Sequence, residues 1–231
     1  MRIIMTILLS LIANVVVASP ATYIFTINTK NASGYADWMK SNAAALGRAT
    51  GAAEMGLCQP KAGAEKTGDM YGYANYISMA EALAVDFGSE EFRAEIAKNT
   101  VPRTLEAMDL WSVVRPFPSA TQVGQKTTAI GFFVETKDLK GYIKAIAAVE
   151  SAYHSNGFED VAMQVASPYT GDFTGSVFLM LAAPNGERLG AAFGAMTESW
   201  AAGPVQKAQE MRDLIRGFVM DCEVAFVKEP K

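Results

Sequence analysis

Tyr71, Tyr73 and Asn75 occupy every second position of the stretch DMYGYANYIS. In an extended strand, alternate side chains share one face. Two phenols and an amide on one face could line a ligand pocket. The competing reading is ordinary sheet packing, since aromatic residues favour strands. The comparable positions later in the chain, Thr174, Ser176, Phe178 and Met180, are less polar. The chain has one histidine, His154, next to Tyr153 near the end of a helical pattern. A histidine there can bond the last helical carbonyls, where the helix dipole favours a positive charge. The sharper alternative makes His154 a general base. No G-x-S-x-G, H-E-x-x-H, C-x-x-C or phosphate-loop signature is present. The 12 methionines are scattered rather than clustered, which fits core filling better than soft-metal binding. No metal site is expected.

The elements that must position these residues follow from composition and pattern. Half of the 231 residues are hydrophobic and 19% are charged, enough apolar surface for a well-buried core. The formal net charge is −4, and no Lys/Arg-rich run occurs, so nucleic acid is not an expected partner. The N-terminus MRIIMTILLSLIANVVVASPA places one Arg before an apolar stretch and then small residues. That layout predicts a signal peptide over residues 1–18, cleaved after Ala18 or alternatively after Ala21. At 16 residues, Ile3–Ala18, the apolar stretch falls short of a comfortable membrane span. The expected location is therefore periplasmic or secreted, with no stable membrane anchor after cleavage. Cys58 and Cys222 are the only cysteines; in an oxidising compartment they can bridge, but only the fold can bring them together.

From Tyr23 onward one plan is written twice. Each half runs strand, helix, strand, strand, helix, strand. The frame T-G-D-x-x-G begins at Thr67 and again at Thr170, each time ahead of an apolar strand. Gly34-Tyr35 and Gly141-Tyr142 open the first helices, and Met55 and Met163 fall in the second strands. Pro60 and Pro168 are expected to end the second strands, Pro204 to divide the last helical region, and Gly72 and Gly175 to lie inside third strands. The clearest helix has Leu139, Tyr142, Ile143, Ile146, Val149 and Tyr153 on one face, with Asp138 as its cap and Gly157 as its stop. Each half reads β-α-β-β-α-β, the ferredoxin-like plan. The expected domains are repeat 1 over residues 22–118, a linker over 119–126 and repeat 2 over 127–230. One unit covers one sheet face with its helices. In the second repeat Ile130, Phe132 and Val134 alternate with Ala129, Gly131 and Phe133, so both faces of that strand are apolar. Two such sheets would bury their open faces against each other.

This doubled pattern resembles the dimeric α+β barrel superfamily in a fused, tandem form, which includes antibiotic-biosynthesis-type monooxygenases and the chlorite dismutase group. The resemblance covers about residues 22–230 and rests on pattern and repeat. It implies an α+β fold of two tandem ferredoxin-like repeats packed sheet to sheet. It also implies that the second strand of one unit meets the fourth of the other, which would make Cys58 and Cys222 neighbours and a candidate disulfide. Likeness to the cofactor-independent monooxygenases implies a ligand among polar and aromatic groups inside the barrel, with Tyr71, Tyr73, Asn75, Asn28 and Trp38 as candidates and Trp111 beside them. Likeness to the chlorite dismutase group makes His154 a candidate haem ligand, although the flanking residues and a distal arginine, for which Arg188 and Arg216 are available, do not match that pattern. The expected function is an exported barrel that binds a small apolar or aromatic ligand, or a protein partner, without catalysis and without a cofactor. The alternative is a monooxygenase-like or haem-binding enzyme. Either a monomer or a higher homo-oligomer is compatible with the duplication.

Overall fold

The structure is a computed structural model that describes residues 20–119 and 121–229. The expected signal peptide, residues 1–18, lies outside the described residues. Among those described, no helix is long and apolar enough to cross a membrane. The order is β1 (Ala21–Asn28), α1 (Ala32–Thr50), β2 (Glu54–Ala62), β3 (Asp69–Tyr76), α2 (Met79–Leu83), α3 (Glu90–Ala97) and β4 (Thr104–Arg115). It continues with β5 (Lys126–Glu135), α4 (Leu139–His154), β6 (Ala162–Pro168), β7 (Val177–Ala183), α5 (Gly186–Gly194), α6 (Ser199–Glu210) and β8 (Asp213–Val227). Local chemistry sets the helix limits. Asn31 caps α1 by accepting from the Gly34 N–H at 3.0 Å, and Gly51 ends it in the left-handed region at φ 73°. Asp138 caps α4 in the same way, accepting from the Gly141 N–H at 2.8 Å.

The eight strands form one closed antiparallel barrel in the order β1-β3-β2-β8-β5-β7-β6-β4. Helices cover the outside. Under α1–α3 lies an apolar layer that includes Tyr35, Met39, Leu46, Met55, Met70 and Tyr76. Under α4–α6 lies another, with Tyr142, Ile146, Tyr153, Met163, Val165 and Leu181. The third cluster fills the barrel interior and holds Trp111, Phe133, Phe178, Phe218, Met220 and Cys58. Alternation along each strand sorts the residues: Ile130, Phe132 and Val134 pack outward, and Ala129 and Phe133 pack inward.

Three local expectations change. Pro60 does not end β2, which continues to Ala62. Beyond Cys58 the strand has lost β3 as a neighbour, and a register shift against β8 follows Pro60, so the missing N–H interrupts little. Pro204 lies inside α6, and the break falls earlier, at the 3₁₀ turn Ala195–Thr197. Packing of α6 on α4, with Ala201 and Ala208 buried, outweighs the one lost backbone bond. Gly175 is not in a strand: it sits in the turn before β7 at φ 88°.

The chain-end halves of the ring meet at two seams. At the first, β2 pairs with β8 and Cys58 stands directly opposite Cys222. Their Cα atoms are 3.9 Å apart and their sulfurs are bonded, across 164 residues of sequence. At the second, β4 pairs with β6. There Arg115 of β4 forms an ion pair with Glu150 of α4 and bonds the Met163 carbonyl, while Glu150 Oε1 accepts from the Met163 N–H at 2.7 Å. The Glu150 side chain is only 7% exposed and that of Arg115 16%. A charge pair so buried is costly to break, because the survivor stays desolvated.

Two expectations follow for the seams. Denatured, unreduced protein should show no titratable thiol, and Cys58→Ser/Cys222→Ser should lower unfolding stability by about 2–5 kcal/mol in urea melts. Two free thiols would contradict the bridge. Arg115→Ala should cost about 3 kcal/mol, whereas replacing both partners together, Arg115→Met/Glu150→Leu, should cost much less. Equal losses in the single and double variants would show that the pair's mutual satisfaction is not the source of the effect.

Candidate functional site

The barrel interior is an aromatic box. Trp111 of β4 lies 5.0 Å from Phe178 and 5.7 Å from Phe133, ring centre to ring centre. Phe133 also meets Phe178 at 5.1 Å, and Tyr71 meets Phe218 at 5.7 Å. Edge and tilted contacts of this kind exploit the ring quadrupole. Gly131 is necessary here: a Cβ on it would lie 2.7 Å from the Phe178 ring. An eight-stranded barrel is just wide enough for such side chains to fill.

One ring of the box does not come from a strand. Phe173 belongs to the turn between β6 and β7, and it stacks on Phe133 with centres 3.8 Å apart and planes 7° from parallel. The turn is fastened to β4 at two points. The Tyr169 N–H donates to the Leu110 carbonyl at 2.9 Å, and the Leu110 N–H donates to Thr170 Oγ1 at 2.8 Å. Gly171 and Gly175 both adopt positive φ. At Gly171 a Cβ would collide with the Asp109 carboxylate, so the turn backbone rests directly on that acid.

The candidates drawn from the sequence separate in space. Tyr71 and Tyr73 point into the barrel. Tyr73 bonds Glu54, and burial followed by the nearby Glu54 charge pushes its phenol pKa well above the ordinary value. Asn75 Nδ2 donates to Glu54 Oε1 at 3.1 Å, and Thr121 Oγ1 bonds the other Glu54 oxygen. These groups form one closed polar cluster at the end of the barrel where β2 begins. Asn28 lies at the opposite end and serves the first T-G-D turn, donating to the Thr67 carbonyl at 3.1 Å and to Asp69 Oδ1 at 2.9 Å. Trp38 is outside the barrel. It sits on α1, 5.5 Å from the Tyr35 ring and 5.4 Å from the Arg103 guanidinium. A residue on a covering helix reaches the outer sheet face only, so Trp38 does not join Tyr71 and Tyr73. His154 is also outside, on α4, with Nε2 2.8 Å from the Val161 carbonyl.

The sequence reading missed Phe133, Phe173, Phe218 and Asp109 as parts of an interior site. Asp109 faces inward beside Trp111, opposite Ile24 of β1. Among the described residues, its carboxylate accepts no hydrogen bond and has no cation partner. Burial, then the neighbouring Asp172 and Glu65 carboxylates, raise its pKa. The cations of the β2–β3 side are engaged elsewhere: Arg216 pairs with Glu65, and Lys66 with Glu106. The signal for this site was the second T-G-D frame itself, which delivers Phe173 where the first copy has Met70.

Two clefts open on the outer surface rather than inside. One, of about 500 Å³, lies outside the disulfide seam between α1 and α5, lined by Lys40, Gln59, Lys126, Asn185, Asp221 and Glu223 among others. The other, of about 340 Å³, lies near the end of α1 and includes Ile77, Glu81 and Lys228. Tyr71, Tyr73, Asn75 and His154 line neither.

No family model and no curated protein sequence matches the chain. Solved structures do match in fold. A monooxygenase-like protein of Lactobacillus acidophilus NCFM superposes with TM-score 0.56 at 10% identity, covering 90% of this chain and 95% of that one. An anthrone oxidase-like protein gives 0.56 at 12% identity, with 91% and 93% covered. A haem-binding protein of Thermus thermophilus gives 0.51 at 8% identity, with 89% and 91% covered. The chain is therefore similar in fold to proteins of the dimeric α+β barrel superfamily, as a mixed α+β structure with a closed eight-stranded antiparallel sheet.

The unpartnered acid gives a pH prediction. Because its folded-state pKa is raised, Asp109 holds its proton more tightly in the folded chain than in the unfolded one. Its contribution favours folding below the unfolded value of about 3.9 and is lost as pH rises through the folded value. Asp109→Asn should therefore raise the melting midpoint at neutral pH, with the gain shrinking as the pH falls through that window. A gain of the same size at every pH would show that charge is not the cause.

Proposed function

We propose that this chain is an exported α+β-barrel protein that binds a small apolar or aromatic molecule inside its barrel without catalysing a reaction on it. The observation that carries this reading is the aromatic box itself, in which one wall ring, Phe173, is supplied by a turn and not by a strand. Rings with a few polar groups at their margin are the usual lining of a small-molecule pocket, and here the turn-borne ring of Phe173 fills the space that such a molecule would take. The polar groups further in, Tyr73, Asn75 and Glu54, are bonded to one another and are not poised to move a proton to a ligand. Export rests on the N-terminal pattern of residues 1–18. The strand orders β4-β1-β3-β2 and β8-β5-β7-β6 within the ring support the reading of two ferredoxin-like repeats joined by residues 119–126. In that reading the second repeat stands where a partner subunit would stand in an unfused dimer.

Haem is a poor fit to the residues present. His154 Nε2 bonds the Val161 carbonyl on the outside of the barrel, so ligation would first have to break that contact. A second reading, a cofactor-independent monooxygenase-like enzyme, draws on the descriptions of two fold neighbours and would use the same interior.

Native mass spectrometry of the mature chain mixed with single-ring aromatic compounds tests these readings together. The expected result is a one-to-one complex from which the compound is recovered unchanged. Recovery of a product heavier by one oxygen atom would favour the enzyme. No complex with any compound, with Phe173 intact or trimmed to Ala, would overturn interior binding.

A further inference from the structure

The turn from Tyr169 to Ser176 has the features of a gate. Outside its two bonds to Leu110 and one from the Gly175 N–H to the Pro168 carbonyl, its hydrogen bonds are internal: Thr174 Oγ1 donates to the Gly171 carbonyl and Ser176 Oγ to the Phe173 carbonyl, each at 2.7 Å. Its one inward hold is the Phe173 ring. Every other ring of the Trp111–Phe133–Phe178–Phe218 group is carried by a strand paired on both sides. Gly171 and Gly175 bracket Phe173 with left-handed backbone, and nothing lies within 4 Å of where a Gly175 Cβ would be. Swinging Phe173 outward would leave a slot of one ring's thickness on the face of Phe133, walled by the remaining aromatics, with the Asp109 carboxylate at its rim.

The charges at that rim select the ligand. Arg216, Glu65, Lys66 and Glu106 are already paired. Asp109 and Asp172 have no cation partner among the described residues, and no unpaired cation faces them. Asp69, also at this end, accepts from Asn28 Nδ2 and the Lys66 N–H, and Tyr71 contacts Arg216. A neutral ring in the slot would leave Asp109 further desolvated and unpaired, and an anionic one would be repelled. An aromatic ring bearing a positive charge would satisfy the carboxylate and could also place that charge against ring faces, where the quadrupole attracts it. We propose that this mouth of the barrel is a gated site for an aromatic ring that carries a cationic group, with Phe173 holding the position that the ligand's ring would take. The proposal rests on the interior-binding reading and adds to it the gate and the charge of the ligand.

Calorimetric titration with benzylamine and its neutral near-isostere benzyl alcohol tests both additions. Phe173→Ala should bind benzylamine about tenfold more tightly than the unaltered chain, and should prefer it to benzyl alcohol by about tenfold, the size of a partly desolvated charge contact. Adding Asp109→Asn should abolish that preference by weakening benzylamine binding, and should not weaken benzyl alcohol binding, because the neutral ring no longer desolvates a charge. If Phe173→Ala does not fold, judged by its thermal melt, Phe173→Leu keeps the apolar bulk, loses the flat ring and should show the same preference. Equal binding of the two compounds would overturn the cationic ligand and leave interior binding standing. Affinity for benzylamine no higher in the trimmed variant than in the unaltered chain would overturn the gate. Binding of neither compound by a variant that melts like the unaltered chain would overturn the proposal and the interior-binding reading with it.

Discussion

Strands that are apolar on both faces cannot stop at a two-layer fold. In this chain β5 carries Ile130, Phe132 and Val134 on one face and Ala129 and Phe133 on the other, and both sets are packed. Helices can cover only the outward set. The inward set stays dry only if the sheet closes on itself, and the remaining architecture answers that requirement. Closure removes the sheet edges that would otherwise offer unpaired backbone groups to other chains. It also creates an interior whose width is fixed by the number of strands, and that width is what eight strands and a handful of large rings can fill.

Closing the ring creates two seams that sequence-local contacts cannot hold. Each is fastened differently. A covalent bond joins β2 to β8, and a buried Arg115–Glu150 pair links β4 to the helix lying over β6. The first acts largely by restricting the unfolded chain, with a loop spanning most of the protein. The second acts by mutual satisfaction, since neither ion is tolerable there alone. The outside of the disulfide seam carries less helical cover, and the larger surface cleft lies there, between α1 and α5.

The two ends of the barrel are not equivalent. At one end Tyr73, Asn75, Thr121 and Glu54 close a polar cluster in which each group has a partner. At the other, the two T-G-D turns lie on opposite sides of the ring, and Asp109 and Asp172 have neither a cation nor a hydrogen-bond donor among the described residues. Such an arrangement costs stability, and sites that retain a cost of this kind are where function is most reasonably sought. The turn-borne ring of Phe173 lies at this same end, on the turn whose Gly171 backbone rests against Asp109.

How much of this was legible in the sequence varies with the range of the interaction. Strand alternation and the Asp138 cap depend on neighbours a few residues away, and the sequence determined them, whereas α4 ends at His154, three residues before the expected stop at Gly157. The β-α-β-β-α-β order read twice along the sequence carried the resemblance that implied a closed sheet, and the sheet is closed. The interior site was only partly visible. Tyr71 and Tyr73 face inward as their alternation implied, whereas Trp38 and His154 lie outside because helices pack only on the outer sheet face. Pro204 and Gly175, both strong local signals, fell on the wrong side of element boundaries, since packing of α6 and the reach of the second T-G-D turn decided those limits. Phe173 reads in sequence as a turn residue like any other. Only the tertiary structure placed its ring on Phe133, 40 residues away in the chain, and set Gly171 against Asp109 of a distant strand. Residue type and spacing encode which face of an element is apolar; which distant ring or acid meets it is decided by how the elements close.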